Sequence, residues 1–349
     1  MASRENPAVA ALLRVLPSDF LVEPRVDAVD VALDSRRWTL QPIWAGEGLP
    51  ADIRRVRNDV MHGRTGIDGL PVIAARRMSP GARELLDESQ LSWVDASGRA
   101  KIVIPGEVYL ARFDPVPGDA GRPFTWSGAA QAVAETLLTW RVRQRDDVPD
   151  SIGRVGVIAG AADVSVAHAA RVLRHFDEQG YTAKTGAERG STATRELRDP
   201  GRMLSDWAGQ YALKGMAPAV EFHVPWRDHD QTLSMFTSSL SAVDWALTGA
   251  AAADRIAPYL TSIPTVDVVV PFGALAEVRR RLSSDEDVRE VDRGGRVRVF
   301  TVDEYLLGLA QDQRGLRIAS PVRVYGDLLR ERGRSVDAAE YLREVAIGF

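Results

Sequence analysis

The sequence lacks cysteine altogether and has only five histidines among its 349 residues. Without cysteine the chain forms no disulfide, no thiolate zinc site and no cysteine nucleophile. A metal site would therefore need histidine and carboxylate ligands. The arrangement of these residues, described below, predicts neither a bound metal nor another cofactor.

Long apolar runs are also absent. The most apolar late segment, "DWALTGAAAADRIAPYL", has Asp254 and Arg255 in its middle, and charged side chains at such a position are costly in a bilayer. The first residues, "MASRENPAVAALLRVLP", are interrupted by Arg14 and lack a small-residue cleavage pattern. We therefore expect a cytoplasmic protein with no membrane partner.

Lysine is scarce, since only Lys101, Lys184 and Lys214 stand among the 44 basic residues. This arginine bias, together with abundant alanine, is typical of a GC-rich bacterial genome. The net charge of −4 argues against positive potential over the whole surface. A DNA-binding protein needs only a local basic face, so the net charge does not decide the partner.

Length and composition predict a multidomain globular protein of the mixed α/β (α+β) class. The chain exceeds one ordinary core, and 45% hydrophobic with 26% charged residues is typical of folded proteins. Joints rich in proline and glycine predict three sections. These are an α/β section at about 1–115, a helical section ending in a ribbon at about 125–215, and a mixed section at about 220–349.

Local signals predict particular elements in the outer sections. In the first section "AKIVI" has the composition of a strand, and "SPGARELLDESQ" predicts a helix that Ser79 caps, with Pro80 at its first position. In the third section "VREVDRGGRVRVFTV" predicts a hairpin that turns at Gly294 and Gly295.

The central section contains the pattern of a winged helix-turn-helix. A first helix with Val155, Ile158 and Ala159 on its inner side precedes a second helix that Ser165 caps and Gly180 ends. Residues 181–197 then predict two short strands, the wing. The apolar stripe of the second helix consists of Ala169, Val172, Leu173 and Phe176.

The outer face of the second helix has the residue types that a recognition helix needs. Small side chains let the backbone approach the major groove, and arginine pairs with guanine or with a phosphate. Basic wing residues displace counterions from the DNA backbone. The residues predicted to contact DNA are Ser165, Ala167, His168, Arg171 and Arg174 in the helix, and Lys184, Arg189 and Arg195 in the wing.

A protein-interaction module is the alternative interpretation of the same residues. Between Gly153 and Arg198, seven basic residues exceed five acidic residues by only two, and any small helical module needs a charged outer face. However, Asp177 and Glu178 lie at the far end of the second helix, away from the predicted DNA contacts. This placement favours DNA binding.

Three stretches of the C-terminal section carry a family resemblance. They are "WALTGAAAADRIAPYL" at 245–260, the following "TVDVVVP", and the closing residues 318–344. In these the section resembles the type IV abortive-infection (AbiE-type) antitoxin family. The resemblance implies a winged helix joined to an antitoxin domain, which represses its own operon and counters a nucleotidyltransferase-like toxin. This chain differs in carrying about 120 residues ahead of the winged helix.

Catalysis by the C-terminal section is not expected. A nucleotidyltransferase needs a Gly-Ser turn and two carboxylates on one strand face to hold Mg²⁺. Here Ala250 follows Gly249, and Val269 stands two residues after Asp267, where the second carboxylate is needed. The sequence therefore predicts at most a catalytically silent relative of the nucleotidyltransferase fold.

A nuclease site in the first section is a further alternative. In "WVDASGRAKIVI", Asp95, Arg99 and Lys101 are similar to the acid, acid, lysine pattern of restriction-type nucleases, but an arginine stands where the second acid belongs. A tight turn around Gly98, with Asp95 and Ser97 satisfying its amides, is the competing interpretation. A third interpretation is a nuclease-like domain that has lost its metal and now contacts DNA or a partner.

Another candidate metal site is the acid and histidine group His223, Asp228, His229 and Asp230. Histidine with carboxylate can hold a metal, but three adjacent residues cannot all point one way on a strand. A loop joint therefore explains them better. The sequence as a whole predicts a DNA-binding repressor without enzymatic activity, with double-stranded DNA, a toxin and a second copy of the chain as candidate partners.

Overall fold

The structure is a computed structural model that describes residues 6–62, 66, 69–104, 108–112, 126–144, 153–185, 194–215, 218–225, 228–313, 315–331 and 333–349. The chain divides into two compact units, Met1–Phe124 and Thr125–Gly348. Both combine helices with sheets, so the expected mixed α/β class is confirmed. The sections expected at 125–215 and 220–349 share one unit, and the boundary between them stays a prediction.

The first unit alternates helices and strands. Its elements are α1 (Pro7–Val15), β1 (Leu21–Pro24), β2 (Val29–Leu33), β3 (Arg36–Trp44), α2 (Pro50–Met61), β4 (Leu70–Ala75), α3 (Pro80–Glu88), β5 (Ser92–Asp95), β6 (Ala100–Ile104) and β7 (Val108–Arg112). The cap expected at Ser79 is confirmed, since its hydroxyl accepts a hydrogen bond from the amide of Ala82 at 3.3 Å, with Pro80 at the first helical position.

Within the described residues, the seven strands of this unit form one sheet in chain order. Strands β3, β4 and β5 run parallel, joined by crossover helices α2 and α3, and the remaining neighbours are antiparallel. Alternate residues of β4 point to opposite faces. Val72 packs in the core with α1, and Ile73 packs in the core with α2 and α3.

The second unit begins with four helices and a two-stranded ribbon. These are α4 (Gly128–Arg143), α5 (Val155–Ala161), α6 (Val166–Gln179), the ribbon strands β8 (Thr182–Thr185) and β9 (Thr194–Leu197), and α7 (Pro200–Leu213). Helix α4 packs against α5, α6 and α7. It is therefore the support on which the helix pair α5 and α6 rests.

The rest of this unit is a mixed sheet with helices. Its elements are β10 (Ala219–His223), α8 (His229–Ser239), β11 (Ala246–Thr248), α9 (Gly249–Ile256), β12 (Val266–Pro271), α10 (Leu275–Leu282), β13 (Arg289–Val291), β14 (Val297–Val302), α11 (Glu304–Gly308), β15 (Gln311–Gln313), β16 (Leu316–Ile318), α12 (Pro321–Glu331) and α13 (Arg334–Leu342). In the described residues the strand order is β13-β10-β14-β12-β11-β16-β15.

The hairpin expected at Gly294 and Gly295 is wrong. Strand β10 lies between β13 and β14 and pairs antiparallel with both. The chain therefore crosses β10 instead of turning back beside it. Gly295 lies so close to β10 that a Cβ on it would be 2.7 Å from the amide nitrogen of Phe222, so the glycine serves close backbone approach.

Helix α12 joins the two halves of the second unit. It packs against α7 on one side and against α9 and α13 on the others. A Cβ on Gly326 would be 2.8 Å from the ring of Tyr211 and 2.9 Å from the ring of Trp207, so the small residue lets the two helices approach closely. Helix α7, which follows the ribbon, is in this way fixed to helix α12 of the C-terminal half.

No single helix among the described residues is long and apolar enough to cross a membrane. The pair α5 and α6 reaches the required length and composition only when both helices are counted together, across a bend of 108°.

Candidate nucleic-acid interface

The helix pair α5 and α6 is sharply bent and firmly capped. Four residues join the helices, whose axes differ by 108°. The hydroxyl of Ser165 accepts a hydrogen bond from the amide of His168 at 3.2 Å and so caps α6, as expected. At the other end Gly180 adopts a left-handed conformation with φ 74°, which confirms it as the helix stop.

The inner face of the pair is an apolar core. Ile158 and Ala159 of α5 are buried, as expected, whereas Val155 is only half-buried. The four residues expected on the stripe of α6 are also buried. At the end of α6, Phe176 contacts the rings of Trp126 and Tyr181, with centroids 5.7 and 5.8 Å away. The hydroxyl of Tyr181 donates to Asp206 of α7 at 2.6 Å. These contacts fix the orientation of α6 relative to α4 and α7.

The outer face of α6 presents all five helix residues expected to contact DNA. Their exposure follows from the helical period, which places them opposite the buried stripe. Within the part of the chain that the structure describes, no acid pairs with the guanidinium of Arg171 or Arg174. Both cations are thus available to a ligand. The exposed residues are Ser165, Ala167, His168, Arg171 and Arg174.

Of the three ribbon cations expected to contact DNA, the structure describes two, and one of these is exposed. Lys184 of β8 is exposed. Arg195 of β9 is buried, and its Nε donates to the carboxylate of Asp177 at 3.1 Å. The hydroxyl of Thr182 also donates to that carboxylate, at 2.6 Å. The expectation of an outward Arg195 is therefore corrected: its guanidinium joins the ribbon to α6. Arg189 lies outside the described residues.

Sequence reasoning missed exposed residues next to this face. Val166, the first residue of α6, is 57% exposed, and Arg154, which precedes α5, is also exposed. Val166 could have been found because it follows the predicted cap Ser165 and falls off the apolar stripe. Arg154 lies before the first helical residue of α5, so the helical period does not reveal its exposure. Its position at the start of the helix was the one available sequence signal.

The expected alternative site around Asp95 is a tight turn. The buried carboxylate of Asp95 accepts hydrogen bonds from the amides of Met78, Ser97 and Arg99 at 3.0–3.2 Å, and from the Ser97 hydroxyl at 2.5 Å. Gly98 completes the turn with φ 92°. Burial raises the pKa of Asp95, and these hydrogen bonds oppose the rise. The geometry therefore follows the turn interpretation.

The described side chains of the histidine and acid group have separate positions, and the side chain of His229 lies outside the described part of the chain. Asp228 caps α8 by accepting from the amide of Asp230 at 3.2 Å, while Asp230 pairs with Arg255. His223 stands exposed on β10. Across the described ranges, no group of three or more histidines and acids is arranged to hold a metal ion.

Asp267 is the one acid of the expected nucleotidyltransferase pattern, and a guanidinium neutralises it. Arg298 Nε donates to its Oδ1 at 2.6 Å, and the second guanidinium nitrogen reaches Oδ2. Burial raises the pKa of Asp267, and the pairing with Arg298 lowers it. Gly249 approaches so closely that a Cβ on it would lie 2.7 Å from Oδ2. The position of a cation beside Asp267 is thus taken by arginine.

Comparison with known protein families gives a match in the C-terminal part of the chain. Residues 196–348 match the family described as "Transcriptional regulator, AbiEi antitoxin, Type IV TA system". No curated protein and no solved structure matches the chain. The resemblance to AbiE-type antitoxins expected from the sequence is thereby confirmed, and the terms antitoxin and transcription regulation apply to this region's family. The helix pair α5 and α6 precedes the matched residues.

Proposed function

We propose that this chain, whose C-terminal part is similar to the antitoxin regulators of type IV toxin–antitoxin systems, is a bacterial DNA-binding transcriptional repressor. In this proposal residues 125–215 form a winged helix-turn-helix, and residues 220–349 form an antitoxin domain of nucleotidyltransferase-like fold without catalysis. The observation that carries the proposal is the exposure of Arg171 and Arg174, free of acidic partners in the described chain, on one face of α6.

The geometry of the helix pair supports this assignment. Helix-turn-helix modules join two helices at about 90–120° through a short turn, and the second helix enters the major groove with its N-terminal residues against the bases. Helices α5 and α6 meet at 108°. The N-terminal part of α6 carries Ala167 and His168, and its small Ala167 side chain permits close approach to base edges.

Charge placement divides the proposed contacts into two kinds. Arg171 is near enough to the helix start to contact a base or a phosphate, and Arg174, one turn further, suits the DNA backbone. Lys184 of the ribbon and the exposed Arg154 extend the basic surface on either side. Arg189 remains a proposed wing contact, whereas the pairing of Arg195 with Asp177 removes it from the set.

A salt-series binding experiment tests the proposal. The whole chain is titrated onto its own upstream DNA and onto a scrambled duplex of equal length, at several salt concentrations. Preferential binding that weakens steeply with salt is expected, because each phosphate contact releases counterions. Arg280→Ala on α10 is the matched control, since Arg280 is an exposed arginine outside the helix pair. Equal binding to both duplexes, or none at any salt, contradicts the proposal.

The symmetry of a homodimer would determine the arrangement of its DNA site. If the repressor binds as a homodimer, the two α6 helices must enter major grooves on one side of the duplex, about 34 Å apart, and the site is then palindromic. Footprinting on the upstream DNA reads this directly. One protected half-site in place of two would indicate a monomeric reader.

Antitoxin activity is a second candidate function, which the family match at 196–348 favours. The partner in this case is a nucleotidyltransferase-like toxin, and the site of action is the cytoplasm. Co-expression with a toxin encoded beside the gene tests it, since an antitoxin restores growth. The Arg171→Ala variant separates the two functions: it should lose repression and retain rescue if the C-terminal part acts independently.

A further inference from the structure

A cavity of about 260 Å³ lies inside the second unit, between its helices and the C-terminal sheet. Helices α4 and α7 form one side, strands β12 and β14 with the start of α11 form another, and α12 closes the third. The cavity is of a size that admits a small molecule. Neither the proposed DNA surface nor the proposed antitoxin function uses it.

One wall of the cavity is apolar and aromatic. Val269 comes from β12, Phe300 and Val302 from β14, and Tyr305 and Leu306 from α11. An apolar wall of this kind releases ordered water when a flat hydrocarbon or a branched aliphatic group covers it. It therefore favours a ligand with an aromatic or branched aliphatic body.

Another wall of the cavity carries the Gln131 amide and the Lys214 ammonium group. Gln131 of α4 is only 8% exposed, and its Oε1 accepts a hydrogen bond from Lys214 Nζ at 2.9 Å. An ammonium group can only donate, so this bond fixes which end of the amide is oxygen. In the described part of the chain, no acceptor meets the buried Gln131 Nε2. This nitrogen has almost no accessible surface, so the Gln131 amide acts on a ligand through Lys214, whose ammonium group its Oε1 orients.

Lys214, an exposed residue, adds a positive charge at the edge of the cavity. Over the described ranges, no carboxylate pairs with its ammonium group, which contacts only the neutral Gln131 amide. The inner acids of the cavity are already engaged: Asp267 and Glu331 with Arg298, and Asp327 with the hydroxyl of Tyr211 at 2.6 Å. The surplus hydrogen-bonding capacity of this wall is therefore cationic and donating.

We propose that this cavity is a binding site for a small carboxylic acid with an aromatic or branched aliphatic body. The carboxylate accepts from Lys214 Nζ, which Gln131 Oε1 orients, and the body covers Phe300 and Val269. Asp303, exposed at the cavity edge, would meet an ammonium group if the ligand is an amino acid. A simple carboxylic acid and an amino acid share the carboxylate, and the experiment below distinguishes between these two ligands.

A ligand in the cavity could affect the helix pair through the helices that hold α6. Gln131 belongs to α4 and Lys214 follows α7, and these two helices hold α6 through Trp126 and Tyr181. A ligand that binds Lys214, which is hydrogen-bonded to Gln131, thus contacts the support of α6. This consequence, unlike the binding itself, rests on the proposed DNA-binding function.

Selective labelling of lysine tests the binding without DNA. The chain has three lysines, so ¹³C,¹⁵N-lysine labelling of the whole protein gives three sets of side-chain signals, with Lys101 and Lys184 as internal controls. Lys214→Arg assigns the third. The probes are 3-phenylpropionate, L-phenylalanine and the uncharged 3-phenylpropionamide, each titrated to about 5 mM, the range of weak small-ligand affinities.

A saturable shift of the Lys214 signal with either carboxylate, larger than with the amide and absent at the other two lysines, supports the proposal. Tighter binding of L-phenylalanine than of 3-phenylpropionate identifies the amino-acid source, and the reverse identifies the simple acid. Gln131→Leu, which keeps the side-chain size, should weaken binding about tenfold or more. No shift with any probe, equal shifts at all three lysines, or unchanged affinity in Gln131→Leu overturns the proposal, whatever the DNA experiment shows.

Discussion

Glu135 and Arg323 form a buried ion pair that joins α4 to α12 across 188 residues of sequence. Arg323 Nε donates to Glu135 Oε1 at 2.8 Å, the second guanidinium nitrogen reaches Oε2, and Tyr305 adds its hydroxyl to Oε2 at 3.1 Å. The Glu135 side chain is fully buried. Burial raises its pKa and Arg323 opposes the rise. The pair fixes the support of the helix pair to the C-terminal sheet.

Breaking this pair from one side should be far more costly than removing both partners. Glu135→Ala leaves the Arg323 charge buried without its acid, and we expect the free energy of unfolding to fall by about 3–5 kcal/mol. The double variant Glu135→Leu with Arg323→Met should lose much less, since apolar groups of similar volume replace both charges. Chemical denaturation of the whole chain measures these changes.

The exposed pair of Arg279 and Glu290, at 2.9 Å, is the matched control. Replacing either partner by alanine should change the free energy of unfolding by at most about 1 kcal/mol, because water screens exposed charges. A Glu135→Ala variant as stable as these controls would contradict the assigned role of the buried pair.

The contribution of Asp95 to the free energy of unfolding should decrease as pH rises. Burial raises the pKa of this carboxyl above its ordinary value of 3.8, so the folded chain binds the proton more tightly than the unfolded chain. Its contribution to stability is fully present below the ordinary pKa and is lost as pH rises through the raised pKa. Relative to Asp95→Asn, which does not titrate, the native chain should lose stability between acidic and neutral pH.

Denaturation of both proteins at several pH values from acidic to neutral measures this difference, and all other carboxyls cancel in the comparison. Within the titration interval the gap should change by at most about 1.4 kcal/mol per pH unit. A gap that moves the opposite way, in favour of the native chain as pH rises, would show that the hydrogen bonds from Met78, Ser97 and Arg99 outweigh burial.

Close packing at Gly295 predicts a strong effect of one methyl group. In Gly295→Ala the new Cβ would meet the backbone of Phe222 at 2.7 Å, which cannot move without disturbing β10. We expect a loss of about 1–3 kcal/mol in the free energy of unfolding, typical of overpacking. Gly209→Ala in α7, where nothing lies within 4 Å of the new methyl group, should instead stabilise by up to about 1 kcal/mol. Equal effects would argue against the crossing of β10.

The local features of the fold were predictable because their causes are local. Ser79 and Ser165 cap helices since a hydroxyl before a helix satisfies a free amide, and both caps are confirmed. The strand order around Gly295 was not predictable, because β10, which separates β13 from β14, lies about 70 residues earlier in the sequence. Non-local pairing of this kind leaves no trace in the turn itself.

The candidate site shows the same division. Exposure of Arg171 and Arg174 follows from the helical period and was predicted correctly in position. The burial of Arg195 depends on Asp177, which lies 18 residues earlier, and an isolated ribbon pattern does not reveal that pairing. The cavity beside Gln131 was missed entirely, because its walls come from segments that the sequence separates widely.

The different surroundings of Arg171 and Arg195 give opposite predictions for two arginine-to-alanine variants. Arg171→Ala removes an exposed cation, so DNA affinity should fall and the slope of log K against log salt should decrease by about 0.9 if the contact is to a phosphate. Stability should stay within about 0.5 kcal/mol, as for most surface substitutions.

Arg195→Ala instead leaves Asp177 without its cation and should destabilise the ribbon by about 1–3 kcal/mol, while leaving the salt slope unchanged wherever the chain is folded. Salt-series binding and denaturation of both variants, with Arg280→Ala as the control, measure both quantities. An unchanged affinity and slope in Arg171→Ala would place the DNA surface on a different face from α6, and a reduced salt slope in Arg195→Ala would return Arg195 to the set of DNA contacts.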